Sequence, residues 1–253
     1  MKHRVNILLY ALSVTLICLF LRDNDYFVLM LIGVTFIFFV ALSLGVLFMQ
    51  YNYFLKSTTE LSSDKCLLTF DDGPHPTNTI KILDILAKHE VKALFFVIGE
   101  KAEQHPEIIK RIVIEGHLIG NHSYNHNNFM SMYSKSRLRK ELTKAQEALW
   151  KISGQQVQFF RPPIGYTNPN YASILKEMKL KCIGWTVRSY DTVHKESSKL
   201  NERLVSMTKP GNIVLLHDNL DVSANALDTY ITSAKSNGIL FASSDNIKTI
   251  FDA

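Results

Sequence analysis

Cysteine is scarce in this chain: three in 253 residues, at positions 18, 66 and 182. No two stand at metal-ligand spacing and the three make no disulfide framework, so they read as inert, buried thiols. The sequence also lacks any internal repeat or low-complexity tract. A concentrated basic tract is missing too, although the net charge is +5. Its densest cluster, Lys135, Arg137, Arg139, Lys140 and Lys144, is interrupted by Leu138, Glu141 and Leu142. That is a solvated helix face, and nucleic acid is not an expected partner.

Charge itself is absent over two long stretches. Val5 to Leu21 and Tyr26 to Met49 contain no Asp, Glu, Lys or Arg, and only Arg22, Asp23, Asn24 and Asp25 separate them. The second run is long enough to cross a bilayer with some tilt, and the first is near the lower limit. A signal peptide is the rival reading of the start, because Lys2 and Arg4 precede an apolar run. No small-x-small cleavage site follows Leu21, however. Residues 1–50 are therefore expected to form a two-span membrane hairpin, 51–64 a short linker and 65–253 one folded domain. Lys2, Arg4, Lys56 and Lys65 flank the spans on one side and Arg22 alone on the other, which puts the domain on the cytoplasmic side.

Within that domain short apolar runs alternate with longer helical patterns. The predicted strands are Cys66–Phe70, Ala93–Ile98, Leu118–Gly120, Gln158–Arg161, Cys182–Val187, Ile213–His217 and Ile239–Ala242. Helices are predicted over Thr77–His89, Glu103–Glu115, Lys135–Ser153, Pro169–Met178, Glu196–Thr208 and Ser223–Ser236. Such alternation predicts an α/β fold with a mainly parallel sheet, open or closed into a barrel of about seven strands. In such barrels chemistry gathers at the C-terminal ends of the strands.

The polar residues that interrupt the apolar runs fall at those ends. Asp71 and Asp72 close the first predicted strand, and Gly73-Pro74 offers a bend that lets both carboxylates reach one cavity. His122 and His126 stand four apart, a spacing that lets two imidazoles share a helix face and one metal ion. Arg161-Pro162-Pro163-Ile164-Gly165 ends the fourth strand, with an Arg able to grip a carboxylate in a bidentate contact. His217 ends the sixth. Taken singly, each has a plain structural reading as a polar turn or a core histidine. Two His and one carboxylate leave open positions on a divalent ion, as a catalytic site requires.

These segments, Thr69–Pro74, His122–His126, Arg161–Gly165 and Leu215–Asp218, occur in the order and spelling of motifs that define the polysaccharide deacetylases. The chain from Lys65 onward resembles that family, the NodB-homology type of carbohydrate esterase family 4. The resemblance implies a distorted (β/α) barrel and a hydrolase removing N-acetyl groups from GlcNAc- or MurNAc-type sugars. It further implies Asp71 as general base, and Asp72, His122 and His126 as ligands of a divalent metal, zinc first, with cobalt, nickel or iron as alternatives. Arg161 would hold Asp71, His217 would be the general acid tuned by Asp191, and the turn at Pro163-Ile164 would offer its N–H to the oxyanion. The fourth motif departs from the pattern: Arg188 stands where an acid is expected and Thr192 where a Trp is. O-deacetylation of a polysaccharide such as xylan, or an inactive glycan-binding module, are the alternatives.

Overall fold

The computed structural model describes residues 2–251. It opens with two antiparallel helices, α1 (Lys2–Phe20) and α2 (Phe27–Leu47), both long and apolar enough to cross a membrane. Their apolar side chains are mostly exposed, and they meet through a Tyr10–Phe38 ring stack with centroids 4.5 Å apart. The last turn of α2 leaves carbonyls that no helical N–H can reach. Thr167, from the following domain, supplies them: its N–H donates to Val46 O (3.1 Å) and its hydroxyl to Gly45 O (3.0 Å).

The domain beyond is built on nine strands: β1 (Ser57–Thr58), β2 (Lys65–Gly73), β3 (Ala93–Val97), β4 (Leu118–Asn121), β5 (Phe159–Phe160), β6 (Lys181–Ile183), β7 (Val187–Arg188), β8 (Ile213–His217) and β9 (Leu240–Phe241). All named pairs are parallel, in the order β1-β6-β5-β4-β3-β2-β8-β7, with β9 against the start of β2. Helices α3 (Asn78–Lys88), α4 (Gly99–Gln104), α5 (Pro106–Ile114), α6 (Lys135–Ser153), α7 (Pro169–Glu177), α8 (Ser197–Met207) and α9 (Asp221–Ser236) make the connections. This is the distorted barrel expected.

Two details differ from the sequence-based expectation. The single strand predicted over Cys182–Val187 is two strands: β7 is one end of the sheet order, and β6 lies next to the other end, inside β1. Only Gly184, Trp185 and Thr186 separate them, so the covalent chain bridges the ring where strand pairing does not. A regular strand cannot pair with β5 at one side of the ring and β8 at the other, which is why the run breaks. Residues 51–64, read as a linker, are also engaged with the barrel. Ser57 and Thr58 pair with Cys182 and Ile183, and the Leu61 N–H donates to Gly211 O at 2.8 Å.

Strand alternation sorts the core. In β2, Leu68 and Phe70 face the helices and pack with Phe95, Val97, Val214 and Leu216. Leu67 faces the barrel interior, with Leu94, Phe96, Phe160 and Leu215. Continuing by twos from Leu67 along β2 places Thr69 and then Asp71 on the inner face; from Ile213 and Leu215 along β8 it places His217 there. The register sets Asp71 directly beside His217.

Candidate active site

Asp71 is buried on that inner face, and its Oδ1 accepts from Arg161 Nη1 at 2.7 Å. Arg161 is fully buried and donates further to Thr69 Oγ1 (2.8 Å), Ile183 O (3.0 Å) and Gly184 O (2.7 Å). The predicted bidentate grip on a carboxylate is not what forms. One nitrogen holds Asp71, and the other donors go to the carbonyls of β6 and the turn after it, which leave them no freedom to rotate. Burial weakens the guanidinium's hold on its proton, and the charge of Asp71 opposes that.

The two adjacent aspartates reach one cavity by a kink at Asp72 rather than at Gly73-Pro74. The β2–β3 register slips between Asp71 and Gly73, and Asp72 sits in the left-handed region at φ 73°. Aspartate tolerates that conformation better than most residues. The extra residue re-aims the second carboxylate, so both face inward instead of alternating. Lys101 Nζ donates to the Asp72 carbonyl at 2.7 Å. At Gly73 a Cβ would lie 2.0 Å from the carboxylate of Asp218, so only glycine fits.

His122 and His126 do not share a helix. They lie on a loop leaving β4, with Ser123 at φ 69° and His126 at φ 52°. Asn121 Oδ1 takes the Ser123 N–H, Ser123 Oγ takes the His126 N–H, and Glu141 of α6 takes the N–H groups of Tyr124 and Asn125. These bonds fold the loop back so that the rings stand 4.9 Å apart between centroids.

The three side chains converge. Asp72 Oδ1 is 3.4 Å from His122 Nε2 and 3.1 Å from His126 Nε2, and the ligand atoms of all three lie within 4.8 Å of one another. His122 Nδ1 is 2.8 Å from the Arg161 carbonyl, which can only accept, so the proton is on Nδ1 and the Nε2 lone pair points at the carboxylate. In the neutral ring two acceptors then face each other, an arrangement that a bound cation satisfies. Asp72 Oδ1 is buried with no aligned hydrogen-bond partner among the described residues. Burial raises the Asp72 carboxyl, but the two imidazoles outweigh it and hold it well below the usual carboxylate range. The donor set fits a divalent metal ion.

Opposite them, His217 Nδ1 is 2.8 Å from Asp191 Oδ1, which leaves Nε2 free toward the cavity. Asp191 Oδ2 also accepts from the His217 N–H (2.7 Å) and Ser223 Oγ (2.6 Å). Burial lowers the His217 imidazole, but the bond to Asp191 and its charge, with Asp71 and Asp72 further off, raise it to about 9. Asp218 is buried as well, accepts from Thr79 Oγ1 at 2.6 Å, and is pushed up to about 7 by its burial.

One cavity of about 190 Å³ brings these groups together. Asp71, Asp72, His122, His126, Ile164, Gly165, Trp185, Arg188, Thr192, Leu215 and His217 line it. Ile164, at φ 62° between the buried Pro163 and Gly165, is its exposed lip. Sequence reasoning missed Thr69, Glu141 and Ser223, which hold site residues in place from elsewhere in the chain. Thr69 carried a signal: it shares the inner-face parity of Leu67 and Asp71.

A family model described as polysaccharide deacetylase matches residues 58–183. The peptidoglycan-N-acetylglucosamine deacetylase of Bacillus cereus is 37% identical over 178 residues, 69% of this chain and 64% of that protein. The chain thus spans less than two thirds of that curated relative. Among solved structures, the Bc1960 peptidoglycan N-acetylglucosamine deacetylase, in complex with an N-oxidanyl-benzamide, superposes at TM-score 0.72 and 32% identity, over 78% of this chain and 93% of that one. BA3943 of Bacillus anthracis, described as a CE4 family pseudoenzyme, gives TM-score 0.70 and 30% identity, over 76% and 68%.

Proposed function

The chain belongs to the polysaccharide deacetylase family, and from that premise we propose that it hydrolyses the acetamide of an N-acetylated glycan at the membrane surface. The fold alone does not carry this reading, since a relative with the same fold is described as a pseudoenzyme. The side chains do. A buried carboxylate clamped by an arginine, a His-His-Asp cluster and a carboxylate-bound histidine surround one cavity.

In this reading Asp72, His122 and His126 hold a divalent ion, zinc by preference, which when bound acidifies a water and polarises the acetamide carbonyl. Asp71, oriented by Arg161, takes a proton from the attacking water. The Ile164 N–H, on the strained turn after Pro163, donates to the oxygen on which charge develops. His217, protonated at neutral pH and oriented by Asp191, gives a proton to the departing sugar amine. Each has one assignment: base, ligand, oxyanion donor or acid. The N-oxidanyl-benzamide bound by the Bc1960 enzyme is a hydroxamate, a class that chelates metal ions, which supports the metal reading for this chain.

The two apolar helices serve as the anchor. Lys2 Nζ donates to Tyr51 O (2.8 Å) and the His3 N–H to Tyr53 O (3.2 Å), contacts just ahead of the barrel that support a reading with the N-terminus and the barrel on one face of the membrane. Lys and Arg counts assign that face to the cytoplasm, where the substrate is a glycan made or held on the inner leaflet. Protease added to intact spheroplasts should spare the barrel. Its digestion would reverse the side and point to assembled wall glycan.

The deciding experiment measures acetate release from GlcNAc oligomers by the detergent-solubilised full chain, stripped of metal and resupplied with zinc or cobalt. Metal-dependent release, lost in Asp71→Asn and His122→Ala, is expected. Metal binding without release from any N-acetyl sugar would leave an inactive glycan-binding module.

A further inference from the structure

Arg188 and its neighbours are not used by the chemistry above. Arg188 lies at the end of β7, paired in register with Leu215 of β8, two residues before His217. Its strand neighbour Val187 is buried in the core, whereas Arg188 itself is exposed and lines the same cavity as the Asp71–His217 pair. Its guanidinium stacks on the Tyr190 ring at 5.1 Å, and Arg203 stacks on that ring at 4.7 Å while donating to the Arg188 carbonyl. Tyr190 is itself held at φ 59°, a conformation that a bulky residue adopts only under constraint. Among the described residues no carboxylate lies within ion-pair distance of either guanidinium.

The charges of the cavity explain why this matters. Asp71 is paired with Arg161, and Asp191 with His217. Asp72 is the anionic member of the cluster that fits a divalent cation. What remains at the rim is two cations around one aromatic ring. A neutral sugar covering Arg188 would strip its water and return only neutral hydroxyl acceptors, whereas a carboxylate would take the planar fork in a stronger, charge-assisted pair.

Resting on the deacetylase reading, we propose that Arg188 is a specificity residue, and that the preferred substrate is an N-acetylhexosamine carrying a free carboxylate beside the acetamide. The lactyl ether of an N-acetylmuramic acid residue has this chemistry. Tyr190 and, from α8, Arg203 flank the guanidinium, and the short segment that carries Arg188 and Tyr190 also carries Asp191, so recognition and proton donation share it.

The test uses three matched disaccharides: one with a free lactyl carboxylate, one with that carboxylate capped as an amide, and one with GlcNAc in its place. Each is offered to the full chain and to Arg188→Gln in detergent, with the metal supplied. The wild type should favour the free acid over its capped twin by roughly ten- to a hundredfold in kcat/KM, chiefly through KM, as expected for a charge-assisted pair. Arg188→Gln should abolish that ratio, and Arg188→Lys should restore part of it. Calorimetry on the metal-free chain gives a second readout: the deacetylated free-acid product should bind more tightly than its capped form, and only when Arg188 is present. Equal rates on all three disaccharides, or a preference that survives Arg188→Gln, would overturn the Arg188 assignment and leave the deacetylase intact. Release from none of them would overturn both.

Discussion

The two walls of the cavity are built differently. On one wall, Asp71, His122 and Arg161 are locked by buried contacts, with Asp72 and His126 converging beside them, and Arg161 alone ties β2, β5 and β6 together. On the other, Asp191 and His217 are as tightly bonded, but Arg188, Tyr190 and Thr192 beside them are exposed, and Arg188 and Thr192 depart from the family pattern. The first wall reads as machinery that tolerates no change. The second keeps one buried acid–base pair and leaves its surface to the substrate. Chemistry and specificity therefore divide across the cavity.

Breaking the first wall should cost most. Asp71→Asn should lower kcat by about 10²–10⁴-fold, the usual range for a positioned general base, while metal binding by calorimetry is retained. Loss of metal together with activity would instead make Asp71 a ligand. Arg161→Met should destabilise the fold by about 3–5 kcal/mol, because Asp71 is left buried and unpaired. Denaturant unfolding of Arg161→Met beside the Arg161→Met/Asp71→Asn pair would show whether removing the charge recovers part of that loss.

The second wall should respond in pH rather than in fold. His217 is raised to about 9, so its acid form prevails at neutral pH and activity should decline as pH rises through about 9. Asp191→Asn removes the main group that raises it, and the basic limb should move down toward the ordinary histidine value of about 6.5. An unmoved limb would assign it to another group. The sign for stability is the same: the pair's contribution is whole below about 6.5 and fades as pH climbs to about 9. Smallest of all, Thr167→Val should cost about 1 kcal/mol or less by uncapping α2, read by thermal unfolding in detergent, with little change in turnover.

Much of this was legible early. The ends of the apolar runs put Asp71 and His217 at the C-terminal ends of their strands, and the register of β2 on β8 then sets the two side by side. Helix α6 runs over the residues predicted, from a serine that caps its start to Gly154 in the left-handed conformation at its end. Local propensity did not reveal the kink at Asp72, the looped His122–His126 segment, or the break between β6 and β7. Each depends on a partner distant in sequence: the β3 edge, Glu141, and the two rims of the barrel. The same holds for residues 51–64, whose polar composition resembles a tether although β1 is bound to β6.

By itself the sequence determined the alternation of strands and helices, the uncharged hairpin, and which polar residues end which strands, because these follow from periodicities of two and 3.6 residues. The tertiary structure alone decided which atoms face each other: that Asp72 turns inward beside Asp71, that His122 keeps its Nε2 lone pair for the cluster, and that Arg188 is left without an anion. Those depend on distances between segments tens of residues apart, and no local pattern encodes a distance.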